Sequence, residues 1–199
     1  MCGIIGIASN KSVTTNIIQS LKKLEYRGYD SSGVMIYSDK SLIKKSKGKV
    51  SALENLFSNE KDKNGTIGIG HTRWATHGPP NQVNSHPHIS NSGEISLVHN
   101  GIIENYDSIK KILVKKGYTF SSDTDSEVLV NLIEDIKKTK KIKLGKAVYF
   151  ALKQVVGAYA IVVFDSTNPN ELVAARLGSP LALGVGESEY YFGSDATPF

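Results

Sequence analysis

The chain has 199 residues, of which 40% are hydrophobic and 22% are charged, as is ordinary for a globular protein of one large or two small domains. Its single cysteine excludes an internal disulfide bond and a cysteine-based zinc cage. The formal net charge of +5 is carried mainly by lysines among apolar and small polar residues, which indicates solvated faces and no nucleic-acid partner.

The N-terminus and the apolar segments argue against secretion and membrane insertion. No basic residue precedes the first apolar run, Gly3–Ala8, so the layout of a secretory signal is missing. No apolar stretch reaches the roughly 20 residues that a membrane-spanning helix needs. We therefore expect a cytoplasmic protein without a membrane partner.

Apolar runs with small or β-branched residues predict nine strands, and apolar periodicity predicts four helices and a weaker fifth. In chain order, these elements are a strand over Gly3–Ala8, a helix marked by Ile17 through Leu24, strands over Gly33–Tyr37 and Leu42–Ser46, the weak helix over Val50–Phe57, strands over Thr66–His71 and Ile95–Asn100, helices marked by Tyr106 through Leu113, Val128 through Ile136 and Ala147 through Val155, and strands over Ala158–Phe164, Glu171–Arg176, Leu181–Val185 and Tyr190–Gly193.

The order of these elements predicts the fold class. Strands are followed by helices and then by more strands, without regular βαβ alternation, which favours a largely antiparallel α+β domain. The run Ala158–Phe164 is apolar on both faces, so we expect two sheets sandwiched between layers of helices. The chain ends soon after a predicted strand, and we expect residues 1–199 to form one domain cut from a longer protein.

Cys2 is a candidate nucleophile because removal of Met1 would place a thiol and an α-amine on the same residue. Their reference pKa values are about 8.5 and about 7.7–8.0, so the amine is suited to accept the thiol proton. The thiolate is the attacking species. The alternative is that Cys2 only begins a buried strand, and other residues must decide between the two.

Two further segments carry groups suited to bind an amino acid and to stabilise an oxyanion. Arg73 and Trp74 follow a predicted strand, where Arg73 would clamp a carboxylate and Trp74 would cover a small ligand; a merely packed Trp–Arg pair is the alternative. Asn100 and Gly101 offer a side-chain amide and a backbone N–H, which suit an oxyanion hole, although an Asn-Gly pair also marks turns.

The segment from Ser122 to Glu127 predicts the start of a helix. Thr124 and Glu127 fit a capping box, and Asp125 falls in the first helical turn, where the helix dipole favours a carboxylate. This structural role is sufficient for Asp125, and binding of a substrate ammonium group is the functional alternative.

The five histidines are clustered within 29 residues, and a zinc site is the competing interpretation of this cluster. The side chains of His86 and His88 would share a face of an extended segment. No His-Glu-x-x-His helix is present, and no clear third ligand accompanies the pair.

Several motifs together resemble one family of glutaminase domains. They are Cys2 to Ile4, Leu24 to Ser31, His71 to Gly78, His86 to His88, His99 to Asn105 and Thr124 to Glu127. In this order they are similar to the glutamine amidotransferase type 2 domain of isomerising glutamine:fructose-6-phosphate aminotransferases, the glucosamine-6-phosphate synthases. The first motif is shared by all N-terminal-nucleophile amidotransferases, whereas the second and third motifs point to this type.

The resemblance implies a four-layer αββα sandwich and a role for each matching residue. Cys2 would be the nucleophile and its α-amine the base, and Asn100 and Gly101 would form the oxyanion hole. The substrate-binding residues it implies are Arg73 for the α-carboxylate of glutamine with Thr76 and His77 in support, Asp125 for the α-ammonium, Trp74 on a loop that closes over glutamine, and Arg27 near the nucleophile.

The resemblance also implies partners and products. L-glutamine would be hydrolysed without a cofactor or metal, and the ammonia would pass to fructose 6-phosphate in sugar-isomerase domains that follow in a longer, homodimeric enzyme. Two alternatives stay open: a glutaminase of the phosphoribosyl or asparagine type, and a non-catalytic metal-binding or interaction module. The residues after 199 and an assay for glutamate release would distinguish them.

Overall fold

A computed structural model describes residues 2–58, 64–74, 79 and 81–198. In chain order its elements are β1 (Gly3–Ser9), α1 (Thr14–Lys23), a short 3-10 turn (Glu25–Arg27), β2 (Ser31–Tyr37), β3 (Ser41–Lys47), α2 (Val50–Asn55), β4 (Ile67–Arg73), β5 (His88–Ile89), β6 (Ile95–Ile103), α3 (Tyr106–Lys115), α4 (Asp125–Lys140), α5 (Leu144–Leu152), β7 (Gly157–Asp165), β8 (Leu172–Leu177), β9 (Ala182–Val185) and β10 (Glu189–Gly193).

The strands form two antiparallel sheets that pack face to face. The first sheet has the order β3-β2-β4-β1-β10-β9, and the second has the order β5-β6-β7-β8. Helices α1 and α2 cover the outer face of the first sheet, and α3, α4 and α5 form the layer on the second. The predicted α+β sandwich of two sheets between helix layers is therefore confirmed.

Three layers of apolar side chains hold these elements together. One lies between α1, α2 and the first sheet, and another between the second sheet and α3 to α5. The middle layer lies between the sheets and includes Ile4, Ile69, Val98 and Phe164. Because side chains alternate along a strand, the glycines of β4 face α1, and Ile67, Ile69 and His71 face the second sheet.

All nine predicted strands and all five predicted helices are present, and the differences lie at their ends. The strand predicted to end at Asn100 continues to Ile103, where it pairs with Gly157. The weak helix ends at Asn55, short of Phe57. The two-residue strand β5 and the 3-10 turn were not predicted, because neither is long enough to show a periodic pattern.

Candidate functional site

Cys2 immediately precedes β1, and its thiol lies against the backbone that follows β4. The N–H of Trp74 donates a hydrogen bond to Sγ over 3.1 Å, and Sγ lies 3.4 Å from the carbonyl oxygen of Trp74. Burial raises the pKa of this thiol, and the N–H of Trp74 and the guanidinium of Arg73 offset part of that increase. A thiol in this environment needs a base to become a thiolate near neutral pH.

The carbonyl group of Cys2 is held from two sides. Asn100 donates to it from Nδ2 over 2.8 Å, and Arg27 donates from Nε over 3.0 Å. Arg27 also forms an ion pair with Asp195, with 3.7 Å between Nη1 and Oδ2. Since Asn100 belongs to β6, its hydrogen bond joins the residue that precedes β1 to the second sheet at the position of the thiol.

A cavity of about 290 Å³ opens beside the thiol. Seven of the nine residues predicted to act in catalysis or substrate binding line it, namely Cys2, Arg27, Arg73, Trp74, Asn100, Gly101 and Asp125. The other two, Thr76 and His77, lie outside the described residues. The structure thus brings the predicted site together from the residue before β1, the 3-10 turn, the end of β4, β6 and the start of α4.

Arg73 and Asp125 supply opposite charges to this cavity, and both side chains are buried. Arg73 ends β4 and donates from Nη1 to the carbonyl oxygen of Pro79 over 3.2 Å. The Oδ2 atom of Asp125 accepts from the N–H of Ile103 over 2.8 Å. Burial lowers the pKa of Arg73, while the negative charges of the Cys2 thiolate, Asp30 and Asp125 counteract this effect.

The start of α4 fixes the position of Asp125, with one difference from the predicted cap. Thr124 is the N-cap and accepts from the N–H of Glu127 over 3.3 Å, as expected. The reciprocal half of the predicted capping box is wrong, because the N–H of Thr124 bonds to Ser122. The Glu127 carboxylate accepts instead from the N–H groups of Ser121 and Ser122, at 3.0 and 2.7 Å.

Any residue other than glycine would be strained at position 101. The φ of Gly101 is +136°, a region that L-residues rarely adopt, and a Cβ atom built on it would overlap the carbonyl oxygen of Ala158 in β7. The backbone of Arg73 approaches Gly28 closely, since a Cβ atom added to Gly28 would lie 2.7 Å from the carbonyl carbon of Arg73. Both glycines let backbone segments close tightly around the cavity.

Four of the five histidines are described, and they are packed together beneath the cavity. The rings of His71 and His86 have centroids 4.1 Å apart, and those of His86 and His88 are 4.6 Å apart. Burial lowers the pKa of His71 to about 3 and holds the pKa values of His86 and His88 well below the usual range. Over the described ranges, no three His, Cys, Asp or Glu side chains are grouped to hold a metal ion.

The prediction missed several residues that contact the site. His71 lies 2.9 Å from Oδ1 of Asn100, measured from Nε2. Ser126 lies between His99 and Asp125, at 2.8 Å from His99 Nδ1 and 3.3 Å from Asp125 Oδ1. A signal for His71 was present, because it alternates with Ile67 and Ile69 on the inward face of β4. No local pattern indicated Ser126.

The model of the glutamine amidotransferase domain family matches residues 56–199. The chain belongs to this family. Two glutamine–fructose-6-phosphate aminotransferases (isomerizing) are similar to this chain over its whole length. The relative from Bacteroides thetaiotaomicron is 54% identical over 200 residues, and that from Thermotoga maritima is 44% identical over 198 residues; each match covers 100% of this chain and 32% of the relative. The chain therefore spans about a third of the length of the curated relatives it matches.

Two solved structures share the fold of this glutamine amidotransferase domain. Glutamine phosphoribosylpyrophosphate amidotransferase from B. subtilis, complexed with ADP and GMP, superposes with a TM-score of 0.83 at 28% identity. The allosteric regulatory enzyme of purine biosynthesis superposes with a TM-score of 0.85 at 27% identity. Each match covers 100% of this chain and 43% of the other chain. Together with the family match, these neighbours confirm the predicted family and its sandwich fold.

None of the described helices is both long enough and apolar enough to cross a membrane.

Proposed function

We propose that this amidotransferase domain hydrolyses L-glutamine to glutamate and ammonia, with Cys2 as the nucleophile. The observation that carries the proposal is the shared cavity: the thiol of Cys2, the guanidinium of Arg73, the carboxylate of Asp125 and the Asn100-Gly101 pair all line it. The amino-acid end of glutamine is zwitterionic, and two opposite buried charges suit it. Holding that end orients the neutral side-chain amide toward the thiol.

The first half of the reaction forms a thioester. The α-amine of Cys2, free once Met1 is removed, accepts the thiol proton, and the sulfur attacks the side-chain carbonyl carbon of glutamine. The raised pKa of the thiol makes such a base necessary. The S–C bond forms, the C–N bond breaks, and the nitrogen leaves as ammonia with the proton returned by the amine.

Negative charge on the carbonyl oxygen is stabilised by Asn100 and Gly101 during this step. A primary amide has two N–H groups, and one of those of Asn100 already donates to the Cys2 carbonyl oxygen. The second N–H of that amide and the backbone N–H of Gly101 are proposed to bind the oxyanion.

In the second half of the reaction, water adds to the thioester carbon, the C–S bond breaks, and glutamate leaves with the thiol regenerated.

The remaining substrate-binding roles support these steps. Arg73 is proposed to bind the α-carboxylate, with Thr76 and His77 in support, and Asp125 to bind the α-ammonium group. Trp74, 45% exposed at the mouth of the cavity, is proposed to cover the bound glutamine. Arg27 holds the Cys2 carbonyl group over 3.0 Å and so fixes the direction of the attacking sulfur.

Two forms of the protein that differ by one residue test the proposal. Cleavage of an N-terminal tag is designed to leave either Cys2 or one extra glycine before Cys2 as the first residue. We expect the first form to release glutamate and to gain the mass of a glutamine-analogue electrophile on Cys2. The extended form should release glutamate and become labelled much more slowly, because the backbone nitrogen of Cys2 is then part of an amide bond and cannot act as a base. Equal activity of the two forms would refute the α-amine as base, and Cys2→Ala is the control for the label.

The names of the two aminotransferase relatives support an acceptor for the ammonia. We propose that, in a longer homodimeric cytoplasmic enzyme, the ammonia passes to fructose 6-phosphate in sugar-isomerase domains and yields glucosamine 6-phosphate. The identity of 54% to an aminotransferase of this type exceeds the 28% to the phosphoribosyl enzyme. Supplying the full-length chain with glutamine and either fructose 6-phosphate or phosphoribosyl pyrophosphate tests this acceptor. Amination of phosphoribosyl pyrophosphate but not of fructose 6-phosphate would refute it.

A further inference from the structure

His71 lies between the two sheets, at the point where they meet behind the nucleophile. It is fully buried in β4, and its side chain reaches β6 of the other sheet. The Nε2 atom lies 2.9 Å from Oδ1 of Asn100 and 3.1 Å from the carbonyl oxygen of His99. The ring therefore contacts the side chain that is proposed to stabilise the oxyanion, on the side away from Cys2.

The partners of Nε2 determine where the ring proton sits. A backbone carbonyl oxygen only accepts hydrogen bonds, so the contact with His99 requires a proton on Nε2. Burial lowers the pKa of His71 to about 3, so the ring is neutral near neutral pH and carries only this one proton. A single N–H group thus points between two oxygen atoms.

This proton in turn determines the orientation of the Asn100 amide. An N–H donor at Nε2 requires the oxygen of the amide, and not its nitrogen, on that side. The nitrogen then faces Cys2, where it donates to the carbonyl oxygen over 2.8 Å. The carbonyl group of His99, through the His71 ring, and the carbonyl group of Cys2 thus indicate the same orientation of the Asn100 amide.

We propose that His71 is a positioning residue that holds the Asn100 amide with its N–H groups toward the reacting glutamine. The inference rests on the proposed function, because it concerns the oxyanion of that reaction. Without the Nε2 donor, the amide oxygen of Asn100 loses a buried partner, and only the hydrogen bond to the Cys2 carbonyl oxygen still opposes rotation of the amide by half a turn. In the rotated state a carbonyl oxygen would face the developing negative charge and repel it.

Two variants of His71 separate positioning from packing. His71→Gln places a neutral N–H donor near the position of Nε2, whereas His71→Leu fills similar space without a donor. For glutamate release we expect His71→Leu to lower kcat about 10- to 100-fold with KM within about twofold, because an oxyanion donor is worth about 100- to 1,000-fold. His71→Gln should recover most of that loss. The proposal would be overturned if both variants lost kcat equally, or if a higher KM and not a lower kcat accounted for the loss of kcat/KM.

A double-mutant cycle keeps the test decisive if His71→Leu also loosens the fold. In the Asn100→Ala background the amide is gone, so adding His71→Leu should change kcat by less than about twofold, while a packing defect would lower it as much as in the wild type. Additive losses would overturn the proposal. No glutamate release by the unmodified domain would instead refute the proposed function, and this inference with it.

Discussion

Mild acid should destabilise this domain through three buried neutral histidines, His71, His86 and His88. Their side chains are at most 6% exposed, and burial lowers all three pKa values, that of His71 to about 3. In the unfolded chain a histidine titrates near about 6.5, so below that pH the unfolded state binds more protons than the folded state. Stability therefore falls as the pH decreases from about 6.5 toward about 3.

The size of this effect follows from the difference between the folded and unfolded pKa values. For His71, a pKa of about 3 in the fold against about 6.5 unfolded corresponds to a loss of about 2 kcal/mol at about pH 5. Burial also lowers the pKa values of His86 and His88, so both add to the loss in the same direction. The loss of about 2 kcal/mol from His71 alone is a sizeable fraction of a typical free energy of unfolding of about 5–15 kcal/mol. Most carboxylates, with unfolded pKa values near about 4, still retain their charge at pH 5.

Urea unfolding followed by circular dichroism at about pH 7.5 and about pH 5 measures the loss. His71→Gln removes one titrating ring, so it should shrink the difference in stability between the two pH values by about 2 kcal/mol, whatever its stability at pH 7.5. His86→Leu should shrink that difference in the same direction. Ile69→Val, in the apolar layer between the sheets, is the matched control, because it should lower stability by about 1 kcal/mol equally at both pH values. The reasoning fails if the wild type and both histidine variants lose the same free energy.

Three further variants test the site itself. Arg73→Lys should raise KM for glutamine about tenfold, because a point charge replaces a two-pronged donor; an unchanged KM would contradict the carboxylate clamp. Asn100→Ala should lower kcat about 100- to 1,000-fold while KM stays within about threefold, and parallel losses would argue against an oxyanion role. Gly101→Ala should lower the free energy of unfolding by about 2 kcal/mol or more, in contrast to Gly145→Ala in α5, whose Cβ meets nothing within 4 Å.

The sequence predicted the layers of this fold well, because the signals for them are local. A run such as Ala158–Phe164 is apolar on both faces only if both faces are covered, and this strand lies in the second sheet between the middle layer and the helices. The end of β6 was misplaced for an equally local reason. Asn-Gly usually marks a turn, but Gly101 at a φ of +136° stays paired with Tyr159, and the strand continues.

The candidate site was predicted less completely, because its contacts join distant parts of the chain. Asp125 was found from its position in the first turn of a helix, and the hydrogen bond from Ile103 that holds its carboxylate depends on tertiary packing. Arg27 reaches the Cys2 carbonyl group across 25 positions of sequence, through a 3-10 turn too short to predict. Arg27 is one of three arginines among 24 basic residues, and only the fold shows its partner, the Cys2 carbonyl group.

The two kinds of contact between the sheets have different consequences for the chemistry. The middle layer, with Ile4, Val98 and Phe164, is apolar and holds the two sheets together. It does not fix the orientation of one sheet relative to the other, because burial of apolar surface is not directional. At the end of this layer the contacts become polar: Asn100 of β6 donates to the carbonyl oxygen of Cys2 and accepts from His71 of β4. Hydrogen bonds are directional, so this short segment sets the position of the nucleophile relative to the oxyanion donors. A change that weakens the apolar layer should therefore lower stability first, whereas a change in the polar segment should lower kcat first.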